Sequence, residues 1–287
     1  MLSNLVAIFF ALASALTVAW GTVVRHRIAL DAPSSVMRTA MTQPLWWVGT
    51  FAALAAYGLQ VIALGFGTLL IVQPILVMSL MFTLPLAAWY SRRRMSRQEI
   101  GWSLVLTVAV GTLIILGRPS AGKPQPAVSD WAPALLVGIT VMAVLAAIGW
   151  RHRSQRALML GTICGGIYGY VAVLSKAVVD IFAHSGVSEL LISWEFYALI
   201  ATAATGTVVQ QYSFHAGPLK QSLPAMTIVE PMVAFLLGYT ILGEKFQITS
   251  ATGWAVMGLA LALMIAATIV LSQQSVGSGE QSRSEPR

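Results

Sequence analysis

Apolar runs long enough to cross a bilayer follow one another through most of this chain, and that pattern limits the folds open to it. A helix needs about 20 mainly apolar residues to span the hydrocarbon core. Nine segments meet that requirement: 4–24, 46–65, 69–90, 100–116, 131–150, 157–182, 194–214, 223–242 and 252–271. The 287 residues include 17 Lys and Arg and 10 Asp and Glu, whereas a soluble chain of this length carries about seventy charged residues. With a mean hydropathy of +0.78, too little charge remains to solvate a globular surface. A soluble enzyme, a disulfide scaffold and a disordered chain are excluded. The expected class is an all-α polytopic membrane protein with nine transmembrane helices.

The second and third segments are separated only by Phe66, Gly67 and Thr68, which requires a tight helical hairpin. Trp46, Trp47, Trp131, Trp150, Trp194 and Trp254 lie near segment ends, where interfacial aromatic anchors are expected. A tenth span would have to hide in 28–43, but Asp31, Pro33, Arg38 and Pro44 mark that stretch as a loop or a surface-lying helix.

The basic residues set the orientation. Arg25, Arg27, Arg38, Arg92, Arg93, Arg94, Arg97, Arg151, Arg153, Arg156, Lys220, Arg283 and Arg287 share one side; Arg118, Lys123 and Lys245 lie on the other. This bias predicts a cytoplasmic C-terminus and an external N-terminus in a plasma membrane. The net charge of +7 is therefore a topology signal and not a nucleic-acid footprint. The first apolar run lacks a basic flank and a small-residue cleavage pattern, so it reads as a retained span. The excess of Arg over Lys points to a GC-rich bacterial source.

Shifting the chain by 150 residues places Gln60 on Gln210, Gly67 on Gly217, Leu69 on Leu219 and Pro74 on Pro224. A slip of two then aligns Gly101 and Trp102 with Gly253 and Trp254. Spans 1–4 thus repeat as spans 6–9, with span 5 as linker. The expected organisation is a first repeat over 1–118, a loop and linker span over 119–156, a second repeat over 157–271, and a disordered cytoplasmic tail over 272–287. An offset of five spans inverts the second copy in the membrane, an arrangement typical of secondary transporters with a site between the repeats.

The stretch over 224–265 contains Glu230 and Pro231, then Leu242, Gly243 and Glu244, before a small-residue-rich last helix. It resembles the closing part of the EamA-type repeat of the drug/metabolite transporter superfamily. In the first copy, 67–74 is similar to the corresponding helix, although Arg92, Arg93 and Arg94 replace the Leu-Gly-Glu. The nine spans, the long first loop, Leu45 with Trp46 and Trp47, and Thr162 to Cys164 opening a Lys-containing span resemble the NIPA-type magnesium transporters of that superfamily. The resemblance implies transport of a small solute by alternating access, with a Mg²⁺ pathway as the narrower implication.

Ionisable groups at membrane depth are functional candidates by default. Glu230 is the deepest acid and stands beside a proline that cannot complete the helix ladder; it is expected to bind a cation, take up a proton, or lock a neighbouring helix. Lys176 and Asp180, spaced i,i+4, lie on one face, as a structural ion pair or with Lys176 turned toward an anionic substrate. Gln60 and Gln210 are repeat-related cavity candidates; Gln73 and Gln211 are secondary ones. Pro74, Pro224 and Pro231 are hinge candidates.

Gly161, Gly165, Gly166 and Gly169 permit close helix packing, and the Arg clusters read as topology signals with anionic lipid contact second. His184 and His215 are placed in or beside loops. Cys164 is the only cysteine, so no disulfide framework is expected. No metallopeptidase, phosphate-loop or Ser/His/Asp pattern occurs; no enzyme activity, cofactor or bound metal is expected. Beyond the bilayer, the expected partner is a small solute or ion, with a homodimer or membrane partner open. A non-transporting scaffold or carrier-lipid handler is the third reading.

Overall fold

The computed structural model describes residues 2–31, 44–90, 94–217 and 219–284. Arg92, Arg93 and most of the 28–43 connection lie outside the described residues. Among the described residues ten α-helices carry the fold: α1 (Leu2–Asp31), α2 (Pro44–Phe66), α3 (Leu69–Val77), α4 (Ser79–Tyr90), α5 (Arg97–Gly117), α6 (Val128–Arg151), α7 (Arg156–Ile192), α8 (Trp194–His215), α9 (Leu219–Leu237) and α10 (Ala251–Ser284). A 3₁₀ turn, Arg153–Gln155, joins α6 to α7, and a π turn, Gly238–Leu242, ends α9.

Local chemistry accounts for several boundaries. Pro44 opens α2, where a missing N–H does no harm. Ser96 and Glu99 form a capping box on α5, which satisfies two otherwise orphaned donors. Met78 separates α3 from α4, four residues after Pro74. Helix α9 runs through Pro224 and Pro231 and changes pitch only at Gly238. The break in α7 falls at Gly186, whose φ of +82° suits glycine.

Eight segments among the described residues are long and apolar enough to cross a membrane, with α3 and α4 forming one of them. The expected span over 194–214 does form a helix, α8, of 22 residues. It is not among the eight, because Glu195, Gln210 and Gln211 dilute its apolar content. Large side chains face outward all round the bundle: Val108 is 67% exposed, Leu136 70% and Ile115 76%. Apolar exposure on this scale belongs in lipid and not in water. The chain is a membrane-embedded helical protein.

Close contacts fix the helix directions. Gly161 lies against Ser222, Gly165 against Met226 and Gly169 against Val233, so α7 and α9 run parallel. A β-carbon on Gly165 would come within 2.7 Å of the Met226 carbonyl oxygen; the glycine stripe packs internally. Gly165→Val is expected to destabilise the protein by about 1–3 kcal/mol through overpacking, read as a lower midpoint in a detergent thermal melt. Helix α8 runs antiparallel to α7, since Cys164 pairs with the Gly206 carbonyl at 3.6 Å and Ser213 with that of Ala157 at 3.5 Å. Tyr57 reaches Ser175, and Gly65 abuts Val179, so α2 runs with α7 and against α8.

The buried core draws on α2, α3, α5, the π turn and α10 through Leu64, Leu69, Ile75, Leu106, Leu113, Ile241 and Met264. Three expectations change. Trp131 is fully buried and meets Trp194 edge-on at 5.2 Å, so it packs against a neighbouring helix and is no interfacial anchor. His184 sits within α7, its Nδ1 2.8 Å from the Asp180 carbonyl, since the helix outlasts its apolar run. The tail expected to be disordered from 272 continues α10 to Ser284, since extending a formed helix adds one bond per residue fixed and no proline intervenes before Pro286.

Candidate functional site

A cavity of about 360 Å³ opens among α1, α2, α7 and α9. Thr17, Gly21, Tyr57 and Gln60 line it from the first half of the chain, and Tyr168 and Glu230 from the second. Glu230 is half-buried, and among the described residues its carboxyl has no hydrogen-bond or ion-pair partner. It is also the one charged side chain among the described residues of the lining. The tyrosine hydroxyls are tethered: Tyr57 Oη lies 2.9 Å from Ser175 Oγ, and Tyr168 Oη donates to Gln210 Oε1 at 3.2 Å.

The structure thus brings Gln60 and Glu230 together and sets Gln210 behind Tyr168, its Nε2 3.6 Å from Met226 Sδ. Gln211 points outward and is exposed. Gln73 is buried in α3, its Nε2 without a partner among the described residues. Pro74, Pro224 and Pro231 lie within helices and outside the wall of the cavity.

Lys176 lies outside this lining. Its Nζ donates to Asp180 Oδ1 at 2.7 Å and to the Leu64 carbonyl at 2.8 Å, at the C-terminal end of α2. Both side chains are about nine-tenths buried. Lys176→Met strands the Asp180 charge and is expected to cost about 3–5 kcal/mol. The double variant with Asp180→Asn should regain most of the lost thermal stability; a double variant as unstable as the single would refute the pairing.

Glu244 has a role that the sequence reading missed. Gly243 turns the chain with φ +69°, which drops Glu244 onto the start of α3. Its Oε1 accepts from the Leu69 N–H at 2.9 Å and its Oε2 from the Leu70 N–H at 3.1 Å. Burial pushes this carboxyl up to about 7, with the two backbone N–H groups and Lys176 pulling the other way. Lys176 and Glu244 therefore place a cation at the end of α2 and a carboxyl at the start of α3, matching both helix dipoles. The 242–247 segment also pairs with the 117–123 loop, Ser120 N–H to Lys245 at 2.9 Å and Gln247 N–H to Gly117 at 2.9 Å.

Tyr57 and Tyr168 were also missed. The available signal was a tyrosine deep in an apolar span, whose hydroxyl needs a partner. For Glu244 it was an acid directly after a helix-ending glycine.

Several membrane-length helices packed together define the class: a polytopic helical membrane protein. The chain is 56% identical over 282 residues to an uncharacterized protein of Corynebacterium glutamicum, a match covering 96% of this chain and 97% of the relative. It belongs to the same family as that protein. No family model matches the chain, and no solved structure matches it.

Proposed function

We propose that this protein is a secondary transporter of the drug/metabolite type, moving a small solute by alternating access, with Glu230 as the group that exchanges a proton for a cation. The observation that carries the reading is the unpartnered Glu230 carboxyl in a cavity walled by both halves of the chain. An isolated carboxylate at membrane depth is costly, and a proton or a cationic group relieves that cost. The two occupants compete, and competition couples their movements.

The two-repeat, nine-span architecture is part of the proposal. Its support lies in the spacing and sense of the helices. Pro44 and Trp194 open α2 and α8, and Leu69 and Leu219 open α3 and α9, each pair 150 residues apart. Repeat-related α2 and α8 run in opposite directions. Because α7 and α9 are parallel, α8 has to return the chain across the same depth, which favours a ninth crossing despite its polar residues. In this reading the Arg-rich loops and the C-terminus are cytoplasmic, in a bacterial plasma membrane.

Reconstitution into proteoliposomes tests the proposal. Proton movement is read with an internal pH dye while amines and other metabolites are offered under an imposed pH gradient. Coupled flux present in wild type and absent in Glu230→Gln is the expected result. Mg²⁺ offered alone is a separate arm. That ion calls for several oxygen ligands, and the cavity lining supplies one carboxylate; Mg²⁺ uptake lost in Glu230→Gln would replace the proposal with a Mg²⁺ pathway. Absence of any flux would favour a scaffold or carrier-lipid handler.

A further inference from the structure

A second cavity, of about 330 Å³, lies where α6 ends and α7 begins. Its rim carries Arg153, on the 3₁₀ turn, and Arg156, at the first position of α7; its walls include Leu145 and Leu160. Both arginines are exposed, and among the described residues neither has an acidic partner. Gly149 lets the two helices close here: a β-carbon on it would lie 3.2 Å from that of Met159. Trp150, 88% exposed, stands beside them as an interfacial side chain does. Toward the membrane interior α6 presents Ile139, Val144 and Ile148 outward.

The site is therefore amphiphilic. At one end two uncompensated guanidinium groups meet the positive end of a long helix, a setting that selects a phosphate. At the other end an apolar groove leads along the lipid-facing surface of α6. Free phosphate would use only the first half. We infer that the α6–α7 turn is a binding site for an anionic phospholipid, its phosphate held between Arg153 and Arg156 and its upper acyl chain laid against Leu145 and Leu160. The site is separate from the Glu230 cavity and needs no transport activity. It would fix the linker helix, which packs mainly on α7, against the rest of the bundle.

Native mass spectrometry of the purified full chain, offered phosphatidylglycerol or phosphatidylcholine, tests this. Phosphatidylglycerol should be retained preferentially, and Arg153→Gln with Arg156→Gln should weaken it roughly thirtyfold, from two near-surface charges. Should the double variant not fold, each single replacement is expected to weaken retention about fivefold. Glu230→Gln should leave the preference intact, so failure of the transport reading would not disturb this one. Equal retention of the two lipids, or a preference that survives loss of both arginines, would overturn the assignment. Displacement of the lipid by millimolar inorganic phosphate would also overturn it, as the mark of a free-phosphate site.

Discussion

Glu244→Ala is expected to lower stability by about 3 kcal/mol or more, because two buried N–H donors lose their acceptor together and each unsatisfied donor costs roughly 1–3 kcal/mol. The donors are the Leu69 and Leu70 N–H groups at the start of α3. Both residues are essentially fully buried, so water cannot replace the carboxyl. A thermal melt followed by tryptophan fluorescence should show a large drop in midpoint. Glu244→Gln keeps one acceptor oxygen and should fall between alanine and wild type. An alanine variant as stable as wild type would show that the cap contributes nothing.

The same residue predicts a pH dependence. The folded-state value of about 7 lies above that of a carboxyl in the unfolded chain, so the folded protein holds this proton more tightly. The resulting stabilisation is complete below the unfolded carboxyl range and is lost as pH rises through about 7. Wild-type stability should decline across that window. Glu244→Gln, which does not titrate, should lose that part of the decline.

Glu230→Gln should abolish coupled flux and leave the fold intact or slightly more stable. The carboxyl has no partner to lose among the described residues, and a neutral isostere removes the expense of an unpaired buried charge. The pairing of the two readouts separates the roles proposed for this acid. A glutamate that locked a neighbouring helix would give a lower melting midpoint on replacement, with flux falling only as the protein unfolds. Lost flux at unchanged stability identifies a coupling group. Unchanged flux would end the coupling proposal.

Short-range features of this protein are written in its sequence, and long-range ones are not. The apolar spans, the short 66–68 joint and the internal packing of the α7 glycines depend on composition and short spacing, and they were legible. The i,i+4 pair of Lys176 and Asp180 was legible as a pair for the same reason. Its third contact, the Leu64 carbonyl 112 positions away along the chain, was not. Glu244 appeared only as part of a family-like motif, because its partners lie on a helix that begins 175 residues earlier. Trp131 was misplaced because a tryptophan near a span end has the same local sequence whether it faces lipid or a neighbouring helix.

The sequence alone determined the solvent. With 9% charged residues and apolar runs of bilayer length, the chain had to satisfy its backbone in helices and expose its side chains to lipid. Tertiary structure decided which polar groups are neutralised. It ties Lys176 to Asp180 and Leu64, seats Glu244 on the start of α3, and leaves Glu230 facing a cavity. These outcomes depend on distances between helices far apart in the chain, and an unpaired charge in low dielectric is defined by what fails to approach it.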